Sequence, residues 1–425
     1  MIPVGPTPPG TSAATIRLRR LPDGVAQARP IDAAEAFRDL PGLALLESAR
    51  PGRNARWTYL TADPVAILES PAAGSDPFAV ARRLLARLDA TPVVPADAPR
   101  FLGGLVGFLG YDLGHALERL PTIAIDDQGL PPMRLALHDW VVAWDRRSGH
   151  AWLGGRALDR DGRRLARRLD DVHARLMAPP APPTRHATAT RPVAHDEPRL
   201  AFTSSLSRAE YEAGVETVRE HIARGDIYQA NLTRRLATDF DGDPWDRYRH
   251  LRTGDPSLFS AFLDLGPSPE TGRPRALLSA SPEPFLSVGH EGVVASDPIK
   301  GTRPRGRDRA EDRALACELL ASAKDRAENV MIVDVLRNDL GRVCVPGTVR
   351  VPRLCRLERT AAVQHLVSTV TGRLATGRDA FHLLAASFPG GSITGAPKIR
   401  AMEILEGLEP VRRGPYTGAL GWIGP

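Results

Sequence analysis

Lysine is nearly absent from this 425-residue chain: it occurs only at Lys300, Lys324 and Lys398, so 53 of the 56 basic residues are arginine. Asparagine is almost as scarce, at Asn54, Asn231, Asn329 and Asn338. Arginine serves wherever positive charge alone matters, so a surviving lysine asks for a chemical reason. Lysine can lose its proton and act as nucleophile or base, whereas arginine stays charged. All three lysines and three of the asparagines lie in the second half, the lysines in PIKGT, SAKDRAEN and GAPKIRAME. That half is chemically specified.

Cysteine is limited to Cys317, Cys344 and Cys355, an odd number with no CxxC pair. This argues against a disulfide framework or a zinc site and favours a reducing compartment. No apolar run reaches the ~18 residues of a membrane span, and the opening MIPVGPTPPGTS lacks the layout of a secretory leader, so a cytoplasmic protein is expected. Aromatics make up only 5%, but 42% hydrophobic and 25% charged residues are those of a folded globular protein. The net charge of +6 comes from interspersed basic and acidic residues, so neither nucleic acid nor a membrane surface is an expected partner. At ~150 residues per domain the length fits two or three domains.

Residues 178–198, APPAPPTRHATATRPVAHDEP, carry six prolines and almost no large apolar side chain, which reads as an exposed linker. It divides an N-terminal region, 1–177, from a C-terminal one, 199–425. In the first, the apolar runs 101–112 and 137–145 read as buried strands. Helices are expected at 76–88, with Asp76 as cap and Pro77 at the first position, and at 158–177, whose arginine face reads as solvated. In the second, Ser207 and Glu210 have capping-box spacing, Tyr211, Val215, Val218 and Ile222 share a face, and Gly225 is a stop. VQHLVSTV alternates as a strand, with Val363, His365, Val367 and Thr369 on one side. One helix is expected through DRAENVMIVDVLRND to Gly341 and another from Pro397. This irregular mixture indicates an α+β fold.

Asp325 and Glu328, three apart on the expected helix, project from about one face. Such hard oxygen ligands suit magnesium, which takes one or two protein carboxylates and leaves other positions to water and substrate. A solvated acidic face is the alternative, but the NVMIVDVL that follows is apolar enough to bury and would hold the pair against a pocket. GGSITGAPK, from Gly390, joins glycines, two hydroxyls and a helix start, where amides can hold a carboxylate or phosphate; a structural turn explains it equally well. No GxxxxGK[ST] or GxGxxG supports ATP or NAD. His365 alone reads as an interior histidine.

In order, GDIYQANLTRRL, SASPEPFL, DPIKGTRPRG, RAENVMIVDVLRNDLGRV, VQHLVSTVTG and GGSITGAPKIRAMEIL closely resemble the motifs of the chorismate-binding enzymes, covering nearly all of Ser205 to Pro425. LLESARPGRNARWTYLTADP and FLGGLVGFLGYDL extend a weaker resemblance into the first half. The implied fold is a large composite β-sandwich with flanking helices, like anthranilate synthase component I. Within the family the pattern resembles the aminodeoxychorismate synthase component I branch, because Lys300 stands in PIKGT where the anthranilate, salicylate and isochorismate synthases usually have alanine.

The resemblance implies that Lys300 attacks ring carbon C2 of chorismate as the C4 hydroxyl leaves, with Glu283 as general acid. Ammonia from a separate glutamine amidotransferase subunit then adds at C4. It further implies Mg2+ on Glu328 with Asp325 behind it, and His365, Gly391, Thr394 and Tyr416 at the substrate. Ser48, Asn54, Ala55, Arg56, Trp57, Leu258, Phe259 and Ser260 resemble an L-tryptophan pocket, inhibitory or structural. The family pattern continues past the GWIG segment with a second magnesium carboxylate and a substrate-gripping arginine, so an activity weakened in the chain ending at Pro425 is one expectation. An anthranilate- or isochorismate-type enzyme, and an inactive partner subunit, are the alternatives.

Overall fold

The apolar runs of the first half are buried on both faces. In the strands Ala44–Glu47, Trp57–Thr61, Trp140–Asp145 and Phe259–Pro267, residues Leu45, Leu60, Val142 and Phe262 enter one core. Their neighbours Ala44, Tyr59, Val141 and Leu263 enter another. Side chains alternate along a strand, so a sheet buried on both faces needs apolar residues at successive positions. Each large side chain fully buried this way contributes about 1.5–3 kcal/mol.

The computed structural model describes residues 15–49, 55–74, 76–88, 90, 97–178, 201–254, 256–289 and 291–425. Asn54 and all but the first residue of the proline-rich stretch lie outside them. A seven-stranded antiparallel sheet runs Ile16–Arg20, His150–Arg156, Trp140–Asp145, Trp57–Thr61, Ala44–Glu47, Phe259–Pro267, Pro274–Ser281. One face packs on a four-stranded sheet, Ala419–Ile423, Gly104–Leu109, Met133–His138, Ala66–Leu68, through Tyr59, Phe101, Val106 and Phe108. The other is covered by the helices Arg163–Met177 and Pro244–Gly254 through Leu165, Leu169, Trp245 and Tyr248. The outer face of the smaller sheet packs on Phe78 and Phe381. The expected β-sandwich with flanking helices is what forms.

Both halves of the chain build these sheets. Ser260 pairs opposite Glu47, and Gly421 opposite Gly107. The boundary at 178–198 is therefore one along the chain and not in the fold, since each half lacks strands that its sheets require. A third sheet, from the second half alone, centres on Val363–Arg373, with Arg350–Arg359 on one side and Ile299–Pro304 and Val293–Ser296 end to end on the other. The helix Ala323–Gly341 covers it through Ile332, Val333, Leu336 and Leu340.

Local signals translate with some shifts. Ser207 and Glu210 form a complete capping box on Arg208–Ala223. The expected apolar face is narrower, however: Val218 is buried, while Val215 and Ile222 are 38% and 40% exposed, because Gly214 brings Leu232 close and contact is confined to that line. The helix expected from Asp76 starts at Ala79, with Asp76 accepting from the Phe78 amide at 3.0 Å and Pro77 left outside. Pro397 is the N-cap and not the first helical residue of Lys398–Leu408. Nor is the arginine face of Arg163–Met177 merely solvated: Arg168 pairs with buried Asp139 at 3.2 Å and with Asp63 at 2.8 Å. Among the described residues no helix is long and apolar enough to cross a membrane.

Candidate active site

The three lysines meet different fates. Lys324 is 85% exposed, 3.9 Å from Glu328. Lys398 is committed to a buried pair with Asp339 at 2.9 Å and to the Ser387 carbonyl. Lys300 is half-buried, and its amine has no hydrogen bond or ion pair among the described residues. It sits in an irregularity of Ile299–Pro304: Ile299 faces Val367 and Thr302 faces His365, so one strand spends an extra residue. Gly301 there has φ +88°, and a Cβ on it would meet Asp325 Cβ at 2.9 Å. Only glycine lets the bulge lie this close to the helix.

Burial pulls the Lys300 amine below its ordinary value, opposed by the negative charges of Glu283 and Glu328. Burial likewise pushes the Glu283 carboxyl up, against a hydrogen bond from the Ile299 amide at 3.1 Å, one from Ser392, and the charge of Lys300. An amine held toward neutrality beside a carboxyl held toward its acid form can serve as a nucleophile and a proton donor in one site. His365, 9% exposed, is joined to Thr302 through Nδ1 at 2.9 Å, two residues beyond Lys300. Asp325 is engaged by Arg303 at 3.1 Å.

Among the described residues no three His, Cys, Asp or Glu side chains converge as a ready-made metal cluster. The Glu328 side chain is 34% exposed, its nearest cation the solvent-exposed Lys324. This donor set fits a magnesium ion that takes one carboxylate here and completes its shell with water and substrate oxygens. Asp325, one helical turn away, is held by Arg303.

The glycine-rich run folds as a four-residue turn of helix, Gly391–Thr394. Thr394 is fully buried and donates its hydroxyl to the Gly390 carbonyl at 2.9 Å, within the turn itself. A Cβ at Gly391 would meet Val335 at 2.7 Å, so this glycine serves packing against the long helix. Tyr416 is 63% exposed, in the field of Arg413. The side chain from this run that does reach the Lys300 cluster is Ser392, on Glu283; Asn231 donates to its carbonyl at 3.2 Å. Ser392 is one of the two hydroxyls of the GGSITGAPK run, but nothing local in the sequence points it at Glu283.

The residues likened to a tryptophan pocket gather at one end of the seven-stranded sheet. Ala49 bonds Ser257 at 2.9 Å, placing Ser48 beside Leu258–Ser260. Arg56 pairs with buried Asp145 at 2.9 Å and lies 4.8 Å over the Trp57 ring. Ala55 is buried nearby in sequence, and Asn54 is outside the described residues.

Sheet architecture and acid–amine cluster together define a class of enzyme. Residues 45–425 match the chorismate binding enzyme family, and the chain belongs to it. It is 44% identical over 390 residues to anthranilate synthase component 1 of Streptomyces coelicolor, covering 89% of this chain and 73% of that one. It is 41% identical over 351 residues to aminodeoxychorismate synthase component 1 of Escherichia coli, covering 82% and 71%. The crystal structure of anthranilate synthase component I from Streptococcus pneumoniae superposes with a TM-score of 0.74 at 30% identity, over 88% of this chain and 82% of that one. The menaquinone-specific isochorismate synthase MenF of Escherichia coli shares the fold, with a TM-score of 0.67 at 16% identity, over 96% and 82%. The protein is thus a chorismate-utilising enzyme of the anthranilate synthase and aminodeoxychorismate synthase family.

Proposed function

We propose that the protein is a cytoplasmic aminodeoxychorismate synthase component I, making 4-amino-4-deoxychorismate for 4-aminobenzoate and folate synthesis. One observation carries the reading: Lys300 is half-buried, has no hydrogen-bond or ion-pair partner at its amine among the described residues, and is in electrostatic contact with Glu283. The Lys300 nitrogen bonds to C2 of chorismate, the ring double bonds shift, and the C4–O bond breaks as Glu283 hands its proton to the departing hydroxyl, which leaves as water. Ammonia then bonds to C4, the double bonds shift back, and the lysine leaves C2 with its electron pair; the enolpyruvyl group is retained. Magnesium on Glu328 would neutralise the ring carboxylate. A glutamine amidotransferase subunit would supply the ammonia, and L-tryptophan would occupy the pocket at Ser48 and Trp57.

The higher identity to an anthranilate synthase favours the second reading, an anthranilate-forming enzyme. Product identification with chorismate, magnesium and ammonium separates the two. The expected product retains its enolpyruvyl side chain; anthranilate with free pyruvate refutes the reading. Lys300→Ala abolishes the chorismate–lysine adduct seen by protein mass spectrometry in the wild type, and an adduct persisting in that variant refutes the role given to Lys300.

A further inference from the structure

The extra residue beside Lys300 has a cost that another residue meets. A bulge takes a peptide out of the ladder, and a buried carbonyl without a donor is unfavourable. The Lys300 carbonyl has a donor in Asn329, whose Nδ2 lies 3.5 Å from it and donates to the Leu366 carbonyl at 3.1 Å. Asn329 is fully buried. Its Oδ1 accepts from the Ser368 hydroxyl, whose oxygen accepts from the Cys355 amide at 2.9 Å. The hydroxyl proton must therefore point at Oδ1, which turns the amide nitrogen toward the bulge. Asn329 follows Glu328 on the helix, so one element carries both the carboxylate that faces Lys300 and the amide that holds its peptide.

We propose that Asn329, backed by Ser368, is a positioning residue that sets the aim of the Lys300 amine by tying the bulged peptide to the helix bearing Glu328. The inference rests on Lys300 being the nucleophile. Asn329 touches no substrate atom in this role. Leucine in its place fills similar space without a donor and frees the bulge to swing.

The test compares wild type, Asn329→Leu, Ser368→Ala and Ile332→Val, the last trimming a fully buried side chain of the same helix in the core it shares with Leu336 and Leu340. Acylation of each lysine is followed against pH by peptide mass spectrometry, with exposed Lys324 as internal reference, alongside steady-state amination of chorismate. In Asn329→Leu the Lys300 labelling midpoint moves toward that of Lys324, and kcat falls on the order of 10²-fold with KM within about twofold. Ser368→Ala moves both the same way by less, and Ile332→Val leaves both in place. An unmoved midpoint and kcat in folded Asn329→Leu overturns the proposal; should that variant not fold, Ser368→Ala decides by the same criterion. Labelling reports the amine whatever the product is. A wild type that does not aminate at C4, yet shows the midpoint shift, sinks the proposed function and leaves the positioning role standing.

Discussion

Glu283→Gln moves two observables in opposite directions. The substitution keeps the shape and an oxygen able to accept from the Ile299 amide, and removes one negative charge beside Lys300. In free peptides a glutamate near 4.3 and a lysine near 10.4 lie about six units apart, so the reactive pair, acid beside neutral amine, is about one part in 10⁶. Burial narrows that gap from both sides, lifting Glu283 and lowering Lys300, while their mutual attraction widens it. A nearby opposite charge holds a group in its charged form. With Glu328 still present one opposing charge remains, so loss of the Glu283 charge lowers the amine further and leaves more of it neutral at a given pH. In Glu283→Gln, Lys300 therefore acylates faster while amination falls about 10²–10⁴-fold for want of the proton donor. The pH profile supplies a second reading. The active form holds one proton between the two groups, so the wild-type rate is bell-shaped, lost at low pH when both are protonated and at high pH when neither is. The variant loses the alkaline limb that Glu283 contributes. Peptide-resolved acylation and initial rates across pH measure both, and unchanged or slower labelling of Lys300 in a folded variant refutes the electrostatic argument.

Two further outcomes concern the frame around the site. Lys398→Met strands the buried Asp339 carboxylate and lowers stability by about 3–5 kcal/mol, whereas adding Asp339→Leu recovers most of the loss; urea denaturation of the single and double variants checks this. Asp312 is held down at about 2 by the Arg305 guanidinium, then by the Gly306 amide, from an ordinary 3.8. A depressed carboxylate stabilises the fold above its unfolded value and loses that contribution as pH falls through the folded one. Denaturation midpoints of the wild type should therefore fall between 3.8 and about 2 by more than those of Arg305→Ala.

What could be read along the chain was what depends on neighbours in the chain. The Ser207–Glu210 box is a reciprocal pair three residues apart, and the helix Ala323–Gly341 follows from its own apolar spacing. Lys300 could be singled out by scarcity, because arginine cannot do what a deprotonated lysine does. Asn329 is as scarce a residue type, but its task cannot be read locally, since nothing nearby says that a bulged carbonyl 29 residues earlier lacks a donor. Glu283 drew its expected role from the surrounding motif and resemblance.

Tertiary structure decided the rest, wherever the deciding partner is remote. Gly391 and Thr394 look the same in sequence whatever they face; in the fold Val335 occupies the space beside Gly391, and the Thr394 hydroxyl bonds within its own turn. The proline-rich stretch reads as a divide, yet Phe259–Pro267 completes a sheet begun by Ala44–Glu47. Composition and motif order determined the family and singled out Lys300 as the candidate nucleophile, because both reside in residue type. Which groups are desolvated together, and so which carboxyl keeps its proton near which amine, depends on burial, and burial exists only once the chain has folded.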